Sequence, residues 1–201
     1  SKHSSYKIEN LLANHLVSLG FFEIINNSLT NNKYSYLVGK TNNNKPIEIL
    51  NPLSNELSVL RTSMLFSGLE TILYNLNRQQ NHLKLFEFGK TYHLIDGNNK
   101  EFSHLSILML GTKTTTHWKK SNDSIDFFYV KGIALTLLEK IGLSKIKFTY
   151  QKSDIFSEGQ TLNIGGKSIV DYGIVKKSIT QEFDIEQLVY YINFNWIALL
   201  D

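Results

Sequence analysis

The chain has 201 residues, of which 42% are hydrophobic and 19% charged, as in an ordinary soluble globular protein with a substantial core. Its net charge of +3 is too small to indicate nucleic-acid binding by itself. It contains no cysteine, which excludes disulfides, thiolate nucleophiles and cysteine-based zinc sites. No apolar run approaches the ~20 residues of a membrane-spanning helix, so we expect no membrane association and a cytoplasmic protein. Because the chain starts at Ser1 rather than Met, we expect a domain cut from a longer protein.

The N-terminal segment predicts an amphipathic helix from about Tyr6 to Leu19 that ends at Gly20. Residues of its stripe recur with the helical period: Ile8, Leu11, Leu12, His15, Leu16 and Leu19. After it we expect a strand over Phe21–Leu29, a short helix over Asn31–Leu37 and a brief strand over Pro46–Leu50.

The stretch from Asn51 to Tyr92 is the segment around which the rest is organised. Thr62 or Ser63 can cap a helix, since either hydroxyl can accept a hydrogen bond from a free backbone N–H. The apolar stripe of this helix consists of Leu65, Leu69, Ile72, Leu73 and Leu76. The period then changes to two, which predicts a strand with Phe86, Phe88 and Tyr92 on one side and Leu83, Leu85 and Glu87 on the other.

The remaining elements are predicted from hairpin and helix signals. They are a hairpin turn at Asp96–Asn99, a strand over His104–Gly111, a helix over Phe127–Ile141 ending at Gly142, a strand over Ile146–Tyr150, a hairpin of Thr161–Ile164 and Ser168–Val175, and a last strand over Val189–Asn195. Hairpins without regular βαβ alternation favour an α+β fold with a mainly antiparallel sheet flanked by helices. Without a linker or repeat, residues 1–201 are expected to form a single domain.

Motifs for chemistry are weak. Gly166-Lys167-Ser168 imitates the end of a phosphate-binding loop, but Thr161 stands where the motif needs glycine, so a plain hairpin turn is favoured. The six histidines show no i, i+4 pair, and we predict no metal site.

Several stretches closely resemble the synthetase-like core of the phenylalanyl-tRNA synthetase beta subunit: LRTSMLFSGLETILYNLNRQQNHLKLFEFGKTY, Trp118, DFFYVKG at 126–132 and YYINFNW near the end. The resemblance covers nearly the whole chain. It implies a degenerate class II aminoacyl-tRNA synthetase fold without an active site of its own. It also implies an α2β2 assembly in which the alpha subunit is catalytic. ATP, magnesium and tRNA then belong to the holoenzyme, and this domain has no cofactor.

The arginines agree with that implication. Class II enzymes use one arginine of an Arg-x-Glu signature and a second in a late strand–helix motif to hold phosphate oxygens, which suit the planar guanidinium. This chain has only Arg61 and Arg78, and neither stands in Arg-x-Glu. We predict no catalytic residue and assign structural roles to Arg61, Arg78 and Glu87, with pairing of Arg61 and Glu87 favoured over partner recognition.

The resemblance further implies a four-helix bundle at the contact with the alpha subunit. Tyr6–Leu19 and Ser63–Asn81 are the candidate bundle helices. We assign the partner interface to the first stripe, Ile8, Leu11, Leu12, His15, Leu16 and Leu19, with self-association of the isolated chain as a further expectation. The family usually has His-Pro-Gly where this chain has Ser157-Glu158-Gly159, and Gly-x-x-His-Pro where it has Gly173-Ile174-Val175-Lys176-Lys177. Any contact made by those histidines is therefore in doubt here.

Two other classes of function stay open. One is a self-sufficient amino-acid-activating enzyme with a lysine-based site at Lys84 or Lys90. The other is a tRNA-binding module, indicated by the pI near 8.9 and by Lys119-Lys120 beside Trp118.

Overall fold

A computed structural model describes residues 2–37, 45–52, 54–113, 123–150 and 153–200. The helices are α1 (Lys2–Ser18), α2 (Leu65–Leu76), α3 (Phe127–Lys140), α4 (Lys177–Thr180) and α5 (Trp196–Leu200). The strands are β1 (Phe22–Glu23), β2 (Leu29–Thr30), β3 (Val59–Leu60), β4 (Leu83–Ile95), β5 (Asn98–Leu110), β6 (Lys147–Thr149), β7 (Phe156–Ile164), β8 (Lys167–Val175) and β9 (Tyr190–Asn195). Short 3-10 helices lie at Asn32–Tyr36, Asn55–Leu57 and Gln181–Phe183.

The main sheet has seven strands in the order β1-β4-β5-β9-β8-β7-β6, and β2 pairs with β3 in a separate two-stranded sheet. Neighbouring strands of the main sheet are antiparallel except for β1 and β4. This confirms the predicted α+β class with a mainly antiparallel sheet. No described helix has the length and apolar character needed to span a membrane.

Hydrophobic clusters cover both faces of the sheet. On one face, α1, α3 and α5 pack on strand residues such as Phe86, Ile107 and Ile192. On the other, α2 and the 3-10 helix Gln181–Phe183 pack on residues such as Leu85 and Leu108. Both clusters share one sheet, as expected if residues 1–201 form one domain; that assignment stays a prediction.

Positive backbone φ angles end helices and close hairpins where the sequence predicts them. Gly20 and Gly142, just after α1 and α3, both have φ of 82°, in the region that glycine occupies without steric cost. Asp96 and Gly97 have φ of 50° and 75°, which suits the two-residue turn between β4 and β5.

Two predicted strands are shorter than expected. Over Phe21–Leu29 only Phe22–Glu23 is a strand, because the Asn27 side chain accepts a hydrogen bond from the backbone N–H of Leu29 and turns the chain. Over Pro46–Leu50 there is only an isolated bridge at Glu48, although the carbonyl of Ile47 and the N–H of Ile49 hydrogen-bond to Leu60 and Ser58. Pro46 lacks the N–H that a longer ladder would use.

Candidate functional site: the polar face of the sheet and the outer face of the first helix

Polar side chains form a row across the α2-facing side of the main sheet. The strand registers place Glu87 opposite Ser106, Ser106 opposite Asn193, Asn193 opposite Asp171, and Asp171 opposite Thr161. We call these five residues the polar row. It is the part of this sheet face where a polar ligand could be held.

Arg61 closes one end of the polar row. It directly follows β3, and its Nη1 lies 2.9 Å from Oε1 of Glu87, with both side chains almost completely buried. Its Nε donates to the carbonyl of Lys90 at 2.9 Å. The other carboxylate oxygen of Glu87 accepts from Nδ2 of Asn26 at 2.8 Å. Both carboxylate oxygens of Glu87 and two of the three guanidinium nitrogens of Arg61 are thus engaged inside the chain.

Close packing at Gly89 on β4 fills the space beside this pair. A Cβ atom on Gly89 would clash with Nη2 of Arg61 and with the terminal methyl of Met64. Both side chains therefore lie directly on the backbone of β4. The chain's own side chains occupy this part of the sheet face.

Two histidines lie beyond the polar row on β4 and β5. Oγ1 of Thr91 is 2.9 Å from Nε2 of His104 and 3.1 Å from Nε2 of His93. Burial lowers the pKa of His104 to about 4, and the nearby His93 and Arg61 add to this shift. Burial also lowers the pKa of His93. At neutral pH both imidazoles are uncharged, so they cannot replace a guanidinium opposite a phosphate.

The lysines considered for a lysine-based site have other partners. Nζ of Lys84 donates to the carbonyls of Leu19 and Lys113 at 2.8 and 2.9 Å, and burial lowers its pKa. Lys90 is on the surface, where its Nζ lies 2.6 Å from Oε2 of Glu101. Within the part of the chain that the structure describes, no three His, Asp or Glu side chains are grouped to hold a metal ion.

Arg78 lies apart from Arg61, on the surface just beyond α2. Its Nη1 donates to the carbonyl of Tyr74 at 2.9 Å, and its guanidinium lies 3.4 Å from the centroid of the Tyr74 ring. A cation at this position interacts favourably with the unpaired backbone carbonyls at the C-terminal end of the helix.

The stripe of α1 does not form the surface that the sequence predicts. Leu12 and Leu16 are 0% exposed and belong to the core beneath α1, and Ile8 and Leu19 pack against the same cluster. His15 is half-buried, and burial, with Lys140 nearby, lowers its pKa. The assignment of Leu12 and Leu16 to a partner interface was therefore wrong, because the stripe faces the sheet of its own chain.

Other apolar side chains are exposed along α1 and the adjacent sheet edge. Leu11 is the one residue of the predicted stripe classed as exposed. Leu11 lies on the other flank of α1 from Tyr6 and Val17, which are about 20° apart around the helix. We group four exposed side chains as the α1 edge surface: Tyr6, Val17, Phe22 and Ile25. Because β1 is an edge strand directly after α1, this surface remains open to a partner.

Sequence reasoning missed most of the polar row. It considered Glu87 but not Ser106, Asn193 or Asp171, each a polar residue with an apolar residue on either side in its strand. That interruption of a buried strand was the available signal. Trp118, Lys119 and Lys120, proposed for RNA binding, lie outside the described residues.

Comparison with known proteins gives the family. The family described as "Phenylalanyl tRNA synthetase beta chain CLM domain" matches residues 1–196. Phenylalanine–tRNA ligase beta subunits of Bacteroides thetaiotaomicron and Porphyromonas gingivalis are 34% and 30% identical, over 98% and 97% of this chain. The chain spans 25% of the length of each relative.

Structural comparison gives the fold independently. A pyrrolysyl-tRNA synthetase from Desulfitobacterium hafniense, PylSc, matches with a TM-score of 0.71 over 97% of this chain and 67% of that one. The two sequences share 18% identity, so this similarity concerns the fold alone. It is a class II synthetase fold, as expected. With a family match over nearly its whole length, the chain belongs to the family of phenylalanyl-tRNA synthetase beta chains and carries their CLM domain.

Proposed function

We propose that this domain is a non-catalytic part of a phenylalanyl-tRNA synthetase beta subunit and supports assembly with a catalytic alpha subunit. The observation that carries the proposal is the Arg61–Glu87 pair. In this pair the buried Arg61 is bound to Glu87 of the same chain. The side chains of Arg61 and Met64 also cover the backbone of β4 at Gly89.

Amino-acid activation places negative charge on phosphate oxygens in the transition state, and catalysis needs donors already aimed at that charge. Here the second arginine is on the outer end of α2 and the histidines beside the polar row are neutral. These side chains do not fit an ATP–magnesium complex. In this proposal the alpha subunit of the holoenzyme binds ATP and magnesium.

The α1 edge surface is the proposed contact with the alpha subunit. Val17 is 57% exposed and Ile25 is 91% exposed, and burying such side chains typically contributes roughly 1.5–3 kcal/mol each. We propose an α2β2 assembly that acts on tRNA as a holoenzyme in the cytoplasm. Without the partner, the same surface would favour self-association.

The test is phenylalanine-dependent exchange of labelled pyrophosphate into ATP. The purified beta chain should give no exchange above a blank, whereas the complex with the alpha subunit should give full exchange. If the complex that contains the Arg61→Met variant gave the same exchange rate as the wild-type complex, the result would agree with a structural role for Arg61. Robust exchange by the beta chain alone would contradict the proposal.

A further inference from the structure

A second exposed surface lies where α3 meets the other edge of the sheet, and the assembly proposed above does not use it. Phe128 and Lys131 of α3 and Phe148 and Tyr150 at β6 define it, and we call it the aromatic edge. Phe128 and Tyr150 are 79% and 75% exposed, and Phe148 is 45% exposed. Large aromatic side chains left open to water in this way often mark a binding site.

Strand and helix geometry place these side chains side by side. Nζ of Lys131 lies 4.3 Å from the centroid of the Phe148 ring, a cation–π contact. Phe128 precedes Lys131 by three residues and so lies on the same side of α3. Phe148 lies in β6, and Tyr150 directly follows the strand, two residues further along the chain, where the alternation of an extended chain places its ring on the side of Phe148.

The half-buried Phe127 ring links the exposed Phe128 ring to a buried one. The Phe127 ring lies 5.4 Å from the Tyr172 ring, whose residue is completely buried, and meets the Phe128 ring edge-on at 6.4 Å. Phe128 therefore stands on the folded core. A ring positioned before binding loses less conformational freedom when a ligand stacks on it.

Two further lysines lie near the aromatic edge, and the nearby Asp126 is already paired with Lys113. Lys145 and Lys147 are exposed at the start of β6. The residues of β7 that pair with β6 are Asn163, Leu162 and Thr161, none of them acidic. Protein–protein interfaces are enriched in aromatic residues but depleted of lysine, whereas proteins that bind single-stranded nucleic acid combine stacking rings with cations along the backbone.

We propose that the aromatic edge binds a single-stranded segment of RNA. Bases stack on Phe148, Tyr150 and Phe128, and Lys131, whose Nζ lies over the Phe148 ring, contacts the phosphates. The surface chemistry suits any single-stranded nucleic acid, and the choice of RNA rests on the proposed function. An extended strand bearing rings at alternate residues resembles the way sheet aromatics of other RNA-binding domains each stack one base.

The test uses the complete beta chain assembled with its alpha subunit and a fluorescent 12-nucleotide oligouridine, with binding followed by anisotropy. Phe148→Ala and Tyr150→Ala should each weaken binding roughly 5- to 100-fold, because one stacked base is lost. Tyr36→Ala is the matched control, since Tyr36 is a similarly exposed tyrosine, at 69%, far along the chain from this surface; its affinity should equal that of the wild type. A 12-base-pair RNA duplex should bind more weakly than the single strand.

The salt dependence tests the lysine contact separately. Lys131→Ala should reduce the slope of log affinity against log salt concentration by about 0.7, the value for one phosphate of a single strand. Equal affinities for the wild type, Phe148→Ala and Tyr150→Ala would overturn the proposal, as would absence of oligouridine binding at low salt. Co-purification of the same variants with the alpha subunit should be unaffected. Intact assembly with no effect on RNA would overturn only the RNA surface, whereas failure of the wild type to assemble would contradict the proposed function.

Discussion

Arg61 is held as a buried charge whose hydrogen-bonding groups find partners on several elements. Glu87 on β4, the Lys90 carbonyl and Ser67 on α2 all accept from its guanidinium. Asn26 donates to Glu87 and accepts from Thr71 Oγ1 at 2.8 Å, so the network also joins the loop after β1 to α2. A buried pair of this kind fixes geometry more than it adds stability, because desolvation of both charges offsets their attraction.

Breaking the pair from one side should therefore be costly. We expect Arg61→Met to lower the free energy of unfolding by about 3–5 kcal/mol, since it leaves Glu87 buried without its cation. The double variant Arg61→Met/Glu87→Gln should recover part of that loss, because no buried charge remains. Urea unfolding followed by circular dichroism measures both.

The control is the exposed pair of Lys90 and Glu101, whose side chains are 51% and 56% exposed. Lys90→Ala should cost less than about 1 kcal/mol, as is usual for surface pairs. If Arg61→Met cost no more than Lys90→Ala, the buried pair would not hold these elements together.

His104 should make stability depend on pH. Its pKa is lowered from 6.5 to about 4 by burial, so between these values the unfolded chain binds more protons than the folded one. Stability from this group is fully present above pH 6.5 and is lost as the pH falls towards 4. At pH 5 the loss is about 2 kcal/mol. His104→Gln should flatten the difference in unfolding free energy between pH 7.5 and pH 5; an unchanged difference would contradict the assignment.

Helices and hairpins were predictable because their signals are local. The stripe of α2 faces its own core as expected, with Leu65, Leu69 and Ile72 at 0% exposure. Ser67 lies off that stripe and yet is buried, because its hydroxyl accepts from Arg61 and donates to the Met64 carbonyl. A tertiary partner decided its position, and no local pattern contains that information.

For α1 the local pattern gave the helix but not what its stripe contacts. Amphipathicity shows only that a face is buried, and either the chain's own sheet or a partner can bury it. Only the packed structure separates these cases. It assigns Leu16 to the core and leaves Val17, the next residue, at the surface.

Adjacent positions on α1 give a matched pair of variants. Leu16→Asp should destabilise the domain by more than about 4 kcal/mol, because it places a charge in a completely buried site. Val17→Asp should change the free energy of unfolding by less than about 0.5 kcal/mol, as for an ordinary surface substitution. Chemical denaturation of both variants compares them directly. Equal destabilisation by the two substitutions would contradict the orientation of α1.

Across the whole molecule, the polar row is the feature that sequence could not assemble. Glu87 and Thr161 stand 74 positions apart in the numbering, yet three intervening strands carry one polar residue each into line between them. Such alignment depends on register between strands that are distant in sequence, and register follows from side-chain packing on both faces. The family resemblance predicted the fold. Only the structure shows that the chain's own side chains, Arg61 and Met64, cover part of this face of the sheet.

Assembly should also appear as a change in the thermal stability of this domain. A partner that binds only the folded state stabilises it by about 2.7 kcal/mol at a hundred times its Kd. For a domain of this size that corresponds to a rise in Tm of roughly 5–10 °C. We therefore expect excess alpha subunit to raise the Tm of the wild-type chain by that amount in calorimetry. Val17→Asp should keep its own Tm without the partner but show a smaller rise, because a charge then interrupts the α1 edge surface. An equal rise for both proteins would place the contact elsewhere on the molecule.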